Sequence, residues 1–225
     1  MSNLETQFRQ ASQEGNEQRM AEIQQQAQLI SSRNAQTAAD FMRKQPISFA
    51  SLYVLQNYFQ GQEQYRDMFE KAAAELAKKY PTSGYVKEFV AAVNREKRLA
   101  VGQPAPEISL PSPEGKTISL SSLRGKYVLV DFWASWCGPC RQENPNVLAA
   151  YKKFKSKGFE VFGVSLDRKK EDWVKAIGQD GLTYTHVSDL KYFQSEAART
   201  YNIEGIPMCY LIDPKGNIAA KNLRG

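Results

Sequence analysis

Two cysteines stand two residues apart in the stretch Trp133-Ala134-Ser135-Trp136-Cys137-Gly138-Pro139-Cys140. The apolar run Tyr127–Phe132 precedes it and predicts a buried strand, and the residues after it have helical character. Cys137 is therefore expected where a strand leads into a helix N-terminus, and there unpaired backbone N–H groups and the helix dipole favour a thiolate. Because only the thiolate attacks a disulfide, this placement predicts a reactive cysteine near neutral pH.

A cysteine pair at this spacing is typical of either a redox centre or half of a zinc site. Zinc needs about four protein ligands, or three and a water, and the remaining candidates, Cys209 and His186, lie far away along the chain. A permanent structural disulfide is also disfavoured, because so short a loop contributes little stabilisation. The pattern favours the redox interpretation, and no metal site is expected.

The composition indicates a packed globular protein. The 225 residues are 42% hydrophobic and 11% aromatic, which suffices for one large domain or two modest ones. No run of about eighteen apolar residues occurs, so we expect no membrane-spanning helix, and residues 1–30 show neither a signal peptide nor an anchor. The net charge of +6 is not gathered into a dense basic patch, which disfavours nucleic-acid binding.

Residues 1–100 predict an all-α helical region, since glycine and proline are scarce and no segment has the pattern of a strand. Apolar positions in residues 4–44 follow helical spacing along a narrow face, which predicts one long helix that needs a partner surface. Further helices are expected over Ile47–Tyr58, over Gln62–Lys79 and, after a cap at Thr82 or Ser83, to about Leu99, with Gly61 interrupting the first two.

Residues 101–225 predict alternating strands and helices, and the Gly102–Pro106 joint separates them from the helical region. Strands are expected at Glu107–Leu110, Lys116–Leu120, Tyr127–Phe132, Phe159–Leu166, Tyr184–Val187, Met208–Ile212 and Ile218–Lys221. Helices are expected over residues 138–156, Glu171–Ile177 and Ser195–Tyr201. Strand, helix and strand followed by a closing hairpin predict an α/β domain.

Two groups of residues resemble a known family. The stretch Val130–Cys140 is similar to the thioredoxin signature nearly residue for residue. The entry segment Val101–Pro106, the segment Leu120–Lys126 and the insertion Asp167–His186 resemble the TlpA/ResA branch of that family. Some Bacteroidetes members of the branch also carry a helical region before the thioredoxin domain.

The resemblance covers residues 101–225 and implies a thioredoxin-like fold, in which a central mixed sheet is flanked by helices. It also implies an extracytoplasmic location, in the periplasm or cell envelope. Domains of this family continue into a final helix, so the domain at residues 101–225 is expected to lack its last helix.

The resemblance also implies which residues act. Cys137 would be the exposed nucleophile that forms a mixed disulfide with substrate, and Cys140 would resolve it. The implied substrate contacts are Trp136, Gly138, Pro139, Ile206 and Pro207, with the Ile206–Pro207 bond cis and facing the cysteines. No cofactor is expected beyond the redox-active Cys137–Cys140 disulfide. The implied partners are disulfide-bearing proteins and an upstream thiol reductant.

Asp131 is a carboxylate inside an apolar strand, where burial should raise its pKa and make it a candidate proton acceptor for Cys140. A hydrogen-bonded or solvated aspartate is the alternative. Thioredoxins carry an aspartate here, but their partner lysine would fall near Gly163, so none is expected. We expect Cys209 to be a buried small hydrophobe, with a third redox group close to the pair as the alternative. We expect His186 to have a surface or packing role.

These observations predict a thiol–disulfide oxidoreductase that reduces protein disulfides outside the cytoplasm, since the pair Gly138-Pro139 resembles that of reducing family members. A dedicated reductase for cytochrome c maturation is a narrower alternative, which no feature of the sequence selects. An assembly or partner-binding protein is the alternative from another class. In that case residues 1–100 would dominate function, either by binding a partner or by self-association into a homo-oligomer.

Overall fold

The protein forms two compact units, Met1–Val93 and Asn94–Gly225, in a computed structural model that describes residues 2–59 and 62–223. The boundary between the units falls between Val93 and Asn94, whereas the sequence pattern placed it between residues 100 and 101. Gly61, expected to interrupt two helices, and the last two residues of the chain lie outside the described residues.

The first unit is built from helices. The described α-helices are α1 (Ser2–Gln13), α2 (Glu17–Lys44), α3 (Phe49–Val54), α4 (Arg66–Lys79) and α5 (Gly84–Arg98), the last of which extends into the second unit. A π-helical turn at Leu55–Phe59 and a 3-10 turn at Glu63–Tyr65 lie between α3 and α4. The core of this unit includes Leu52, Leu55, Phe59, Ala72 and Leu76, all fully buried.

The prediction of one helix over residues 4–44 is wrong, because the helix breaks between α1 and α2. Gly15 adopts φ 64°, a left-handed conformation that ends α1. The Asn16 side chain then accepts the Arg19 backbone N–H at 3.0 Å and caps α2. Residues 12–19 carry no apolar side chain, so apolar periodicity gave no signal at the break.

The second unit contains a five-stranded mixed sheet in the order β5-β4-β3-β6-β7 and a separate hairpin of β1 and β2. The strands are β1 (Ser109–Pro111), β2 (Thr117–Ser119), β3 (Tyr127–Trp133), β4 (Phe159–Ser165), β5 (Thr185–Val187), β6 (Met208–Ile212) and β7 (Ile218–Lys221). The helices are α6 (Gly138–Phe154), α7 (Lys170–Gln179) and α8 (Glu196–Thr200). The prediction of a central mixed sheet accompanied by helices is confirmed.

Strand β3 is the centre of this sheet, paired in parallel with β4 and antiparallel with β6. Its residues from Val128 onward are buried, as expected for an apolar strand covered on both faces. On one face, Phe132 contacts Tyr201 with ring centroids 5.4 Å apart. On the other face, Trp133 contacts His186 at 5.5 Å. The strand therefore runs through the middle of the core and ends shortly before the start of α6.

No helix among the described residues 2–59 and 62–223 is long and apolar enough to cross a membrane.

Candidate active site

Cys137 and Cys140 form a disulfide at the junction between β3 and α6, with their Cα atoms 5.2 Å apart. Cys137 is the N-cap residue of α6, and its Sγ accepts the Cys140 backbone N–H at 3.2 Å. Pro139 lies in the first turn, where a missing N–H and a fixed φ suit a helix start. A helix N-terminus is a position that favours the thiolate form of a cysteine, because of the helix dipole and the N–H groups that point toward it.

The cysteines themselves are more enclosed than the resemblance implied. Cys137 is 4% exposed and Cys140 is 1% exposed. Cys137 is not the exposed residue that we expected, because its sulfur is bonded to Cys140 and turned toward the helix N-terminus. The exposed surface beside the pair comes instead from Trp136, Gly138 and Pro139.

Asp167 holds the loop that precedes Cys137, a role that the sequence did not reveal. It follows β4 and is 1% exposed. Its carboxylate accepts the Ser135 backbone N–H at 3.0 Å, the Ser135 hydroxyl, and the Ser165 hydroxyl at 2.7 Å. These charge-assisted hydrogen bonds tie the loop to the end of β4. The only signal in the sequence was a carboxylate directly after a buried strand.

Arg141, the residue after Cys140, joins the first turn of α6 to the end of α7. Its guanidinium forms a bidentate ion pair with Asp180, and its Nη1 donates to the Ser135 carbonyl at 3.2 Å. Partial burial acts to raise the pKa of Asp180, but hydrogen bonds from Arg141 and Asn144 outweigh it and hold that pKa below its usual value. The loop before Cys137 is thus held by two groups, the Asp167 carboxylate after β4 and the Arg141 guanidinium of α6, both of which bond to Ser135.

The Ile206–Pro207 peptide bond is cis and directly precedes β6. The first residue of β6, Met208, is opposite Phe132 near the end of β3. Because β6 runs antiparallel to β3, the start of β6 and the end of β3 lie at the same end of the sheet. The cis bond therefore lies at the end of the sheet from which β3 leads to Cys137. Ile206 and Pro207 are both partly exposed.

Aromatic side chains from the 3-10 turn Tyr192–Gln194 lie against Trp136, which is 49% exposed. Its ring centroid lies 5.1 Å from that of Tyr192 and 6.3 Å from that of Phe193, and the Arg168 guanidinium covers the Tyr192 ring at 4.4 Å. Tyr192 and Leu190 both adopt left-handed φ values, of 57° and 58°. Such strained backbone is typical of functional loops, and we define Trp136, Tyr192 and Phe193 as the aromatic face.

Asp131 lies in the sheet directly between Cys209 of β6 and Gly163 of β4. It is 5% exposed, which excludes the solvated alternative. Gly163 pairs with Asp131 and lies where thioredoxins carry a lysine, so this chain lacks that lysine, as the sequence predicted. Cys209 is 2% exposed and outside any disulfide, and its thiol donates to the Leu223 carbonyl at 3.3 Å.

His186 is buried in the sheet at 5% exposure, so it has a packing position and not a surface one. Its ring lies 4.5 Å from Tyr184 and 5.5 Å from Trp133, measured between centroids. Burial lowers the pKa of His186 to about 3, which keeps the imidazole neutral at physiological pH.

This lowered pKa predicts a loss of stability in mild acid. Below the unfolded value of about 6.5, the unfolded chain binds a proton that folded His186 does not bind, so the free energy of unfolding falls by about 1.4 kcal/mol per pH unit. Between pH 7 and pH 5 the wild type should therefore lose about 2 kcal/mol more than His186→Gln. Urea unfolding at both pH values measures this difference, and equal losses would contradict a buried neutral imidazole.

No group of three or more histidine, cysteine, aspartate or glutamate side chains that could hold a metal ion occurs in the described part of the chain.

Comparison with known proteins identifies the family. Residues 101–221 match the AhpC/TSA family. The thiol-disulfide oxidoreductase ResA of Bacillus subtilis is 32% identical over 120 residues, which are 53% of this chain and 65% of that protein. The thioredoxin domain of a thiol-disulfide oxidoreductase from Bacteroides vulgatus is 46% identical, with a TM-score of 0.54 over 56% of this chain and 91% of that structure.

A thiol-disulfide oxidoreductase from Bacteroides fragilis is 37% identical, with a TM-score of 0.52 over 55% of this chain and 92% of that structure. The three individual proteins are all named thiol-disulfide oxidoreductases, and each match covers little more than half of this chain. The chain therefore belongs to the AhpC/TSA family, as a thiol–disulfide oxidoreductase with a thioredoxin-like fold.

Proposed function

We propose that this protein reduces disulfides in other proteins through the Cys137–Cys140 dithiol. The observation that carries the proposal is the position of Cys137 as N-cap of α6, where its thiolate is stabilised once the disulfide is opened. The buried Cys140 lies one helical turn further on, within bonding distance of Cys137.

The reaction proceeds by two thiol–disulfide exchanges. The Cys137 thiolate attacks a substrate disulfide, which forms a mixed disulfide and releases one substrate thiolate. Cys140 then gives up its proton, with Asp131 as the proposed acceptor, and attacks the Cys137 sulfur. The second substrate thiolate leaves, both substrate thiolates take up protons, and two electrons have passed from the dithiol to the substrate. An upstream thiol reductant restores the dithiol.

Substrate would bind at the end of the sheet where the disulfide lies. The Ile206 backbone beside the cis bond would pair with an extended peptide in the manner of an added strand. The aromatic face would cover apolar residues that flank the substrate cysteine, since Trp136 presents half of its surface to solvent. Gly138 and Pro139 leave the approach to Cys137 free of large side chains. We also propose that this activity lies outside the cytoplasm, and the resemblance to the TlpA/ResA branch supports this.

The reduction potential of the Cys137–Cys140 pair tests the direction of the reaction. We expect a value near that of thioredoxin, about −270 mV, measured by equilibration with glutathione or dithiothreitol buffers and thiol alkylation. A value near about −120 mV, which is typical of strong oxidants, would contradict the proposed role as a reductant.

A second candidate function is self-association through the helical region, and exposed apolar side chains on α2 favour it. Ile30 and Phe41 are 44% and 63% exposed, and a separation of eleven residues places them on nearly the same face of this helix. An exposed apolar stripe on a helix is typical of an interaction surface.

We expect the double variant Ile30→Glu with Phe41→Glu to have the sedimentation mass of one 25.4 kDa chain, and the wild type to have a multiple of that mass. Gln28→Glu, at an exposed polar position of the same helix, is the matched control and should not change the mass. A wild type that sediments as one chain at all concentrations would exclude this function.

A further inference from the structure

The aromatic face adjoins a cation, Arg168, whose side chain is exposed. Its Cζ atom lies 4.4 Å from the centroid of the Tyr192 ring, and that centroid lies 5.1 Å from the centroid of Trp136. Trp136 directly precedes Cys137, the first cysteine of the redox pair. The cation is therefore one aromatic ring away from Trp136, on the surface beside the disulfide.

Arg168 is ordered at both its backbone and its side chain. The preceding residue, Asp167, is 1% exposed and accepts hydrogen bonds from Ser135 and Ser165, which anchors the chain at this point. The guanidinium packs over the Tyr192 ring, and cation–π contacts of this kind are favourable even at exposed sites. A side chain that is already ordered loses less conformational entropy when a ligand binds to it.

The Arg168 guanidinium forms no ion pair and no hydrogen bond with any residue in the part of the chain that the structure describes. Arg141, which is also near the disulfide, is instead neutralised by Asp180. A guanidinium that stacks by its face keeps its N–H donors at its edge, so it can still bind a carboxylate, often through two parallel hydrogen bonds. Arg168 is thus a positioned cation whose donors are available to a ligand.

The residues that follow Arg168 add two further cations. Lys169 and Lys170 come directly after it and are exposed. Glu171 and Asp172 come next, in the first turn of α7, where the positive end of the helix dipole partly offsets their charge. Charge complementarity therefore favours an acidic ligand over a basic one at this place.

We propose that Arg168 is a specificity-determining residue that binds a carboxylate of the protein substrate, so that disulfides with an acidic residue nearby are reduced faster. This inference rests on the proposed function, since it concerns the same site. The carboxylate would meet the edge of the guanidinium while an apolar residue beside the substrate cysteine contacts Trp136. Substrates would thus be selected by two features together, an apolar residue next to the cysteine and an acidic residue further along.

The geometry also indicates how far the acidic residue lies from the substrate cysteine. An extended peptide projects every second side chain from one face, with a spacing of about 7 Å. Trp136 and Arg168 both contact the Tyr192 ring, at 5.1 and 4.4 Å from its centroid, so two such side chains can reach them together. With the residue next to the cysteine on Trp136, the acidic residue is expected three positions from that cysteine.

Competition between two peptide disulfides tests this preference. Each capped peptide has a central cysteine with leucine on both sides, then alanine, and at both ends either glutamate or lysine, so that the direction of the peptide does not matter. The cysteine is carried as a mixed disulfide with mercaptoethanol, which is neutral. The reduced full chain is oxidised to its Cys137–Cys140 disulfide and releases the peptide thiol and mercaptoethanol. Acid quenching and chromatography then give the ratio of the two rates.

For the wild type at low ionic strength, we expect the glutamate peptide to react about tenfold faster than the lysine peptide, since each of the two charges should change the rate about threefold. In Arg168→Gln this ratio should fall to within about twofold, and in Arg168→Glu the lysine peptide should react faster. Arg168→Lys retains the charge and should keep a ratio of at least about fivefold. About 1 M salt should reduce the wild-type ratio to within about twofold.

Lys152→Gln is the matched control, because it removes an exposed cation about 20 Å along α6 from the disulfide, and it should keep the wild-type ratio. A wild-type ratio within about twofold would overturn the inference. An unchanged ratio in Arg168→Gln would also overturn it, as would an equal fall in Arg168→Gln and Lys152→Gln, which would indicate net charge alone. A wild type that reduces neither peptide would refute the proposed function instead, so the two failures are distinguishable.

Discussion

Replacing Cys137 by serine is expected to abolish the reduction of insulin disulfides, with a loss of at least about a hundredfold that reaches the background of the assay. A serine hydroxyl is not ionised near neutral pH, so the stabilisation that the α6 N-terminus offers a thiolate is no longer used. Turbidity of precipitating insulin B chain, with dithiothreitol as the upstream reductant, measures the rate.

The other two cysteines provide the controls for this experiment. Cys140→Ser should also lose turnover, but it retains the Cys137 nucleophile and should trap substrates as mixed disulfides that are visible on non-reducing gels. Cys209→Ser leaves the Cys137–Cys140 pair intact and should remain active. Insulin reduction by Cys137→Ser at the wild-type rate would exclude Cys137 as the nucleophile. The trapped proteins would identify the substrate class.

Replacing Asp167 by alanine is expected to have the second largest effect. The carboxylate is buried and accepts hydrogen bonds from Ser135 and Ser165. Its loss leaves these donors without their acceptor and opens a cavity, which should lower the free energy of unfolding by about 3 kcal/mol. The loop before Cys137 would also lose its support, so insulin reduction should fall roughly tenfold in the protein that is still folded.

Urea unfolding of the oxidised protein measures the stability change, and the insulin assay measures the rate. Asp172→Ala is the matched control, because Asp172 is an exposed carboxylate in the first turn of α7. It should change the free energy of unfolding by no more than about 0.5 kcal/mol. If Asp167→Ala behaves like this control, Asp167 does not anchor the loop.

Most elements of the second unit could be predicted because their signals are local. The apolar run Tyr127–Phe132 forms β3 with one further residue, and β6 and β7 have the predicted bounds of Met208–Ile212 and Ile218–Lys221. Such strands can be recognised from a few neighbouring residues, by their apolar pattern and by the turn residues on either side. The break at Gly15 was missed because one glycine within a polar helical pattern is a weak signal.

Partners across the sheet could not be predicted in the same way. The contact between Asp167 and Ser135 joins residues thirty-two positions apart, and it exists only because β4 ends beside the loop after β3. The place of His186 over Gly163 depends on the register of β4 and β5, in which a shift of one residue would turn the imidazole to the opposite face.

The sequence by itself determined the redox pair, because Cys137-Gly138-Pro139-Cys140 spans one helical turn and its chemistry follows from that local geometry. It also determined the order of strands and helices, which depends on short-range periodicity. Only the tertiary structure decided what lies around the pair: the Asp167 anchor, the Arg141–Asp180 ion pair and the aromatic face. These arise from strand register and packing, which bring distant residues together and which no local pattern encodes.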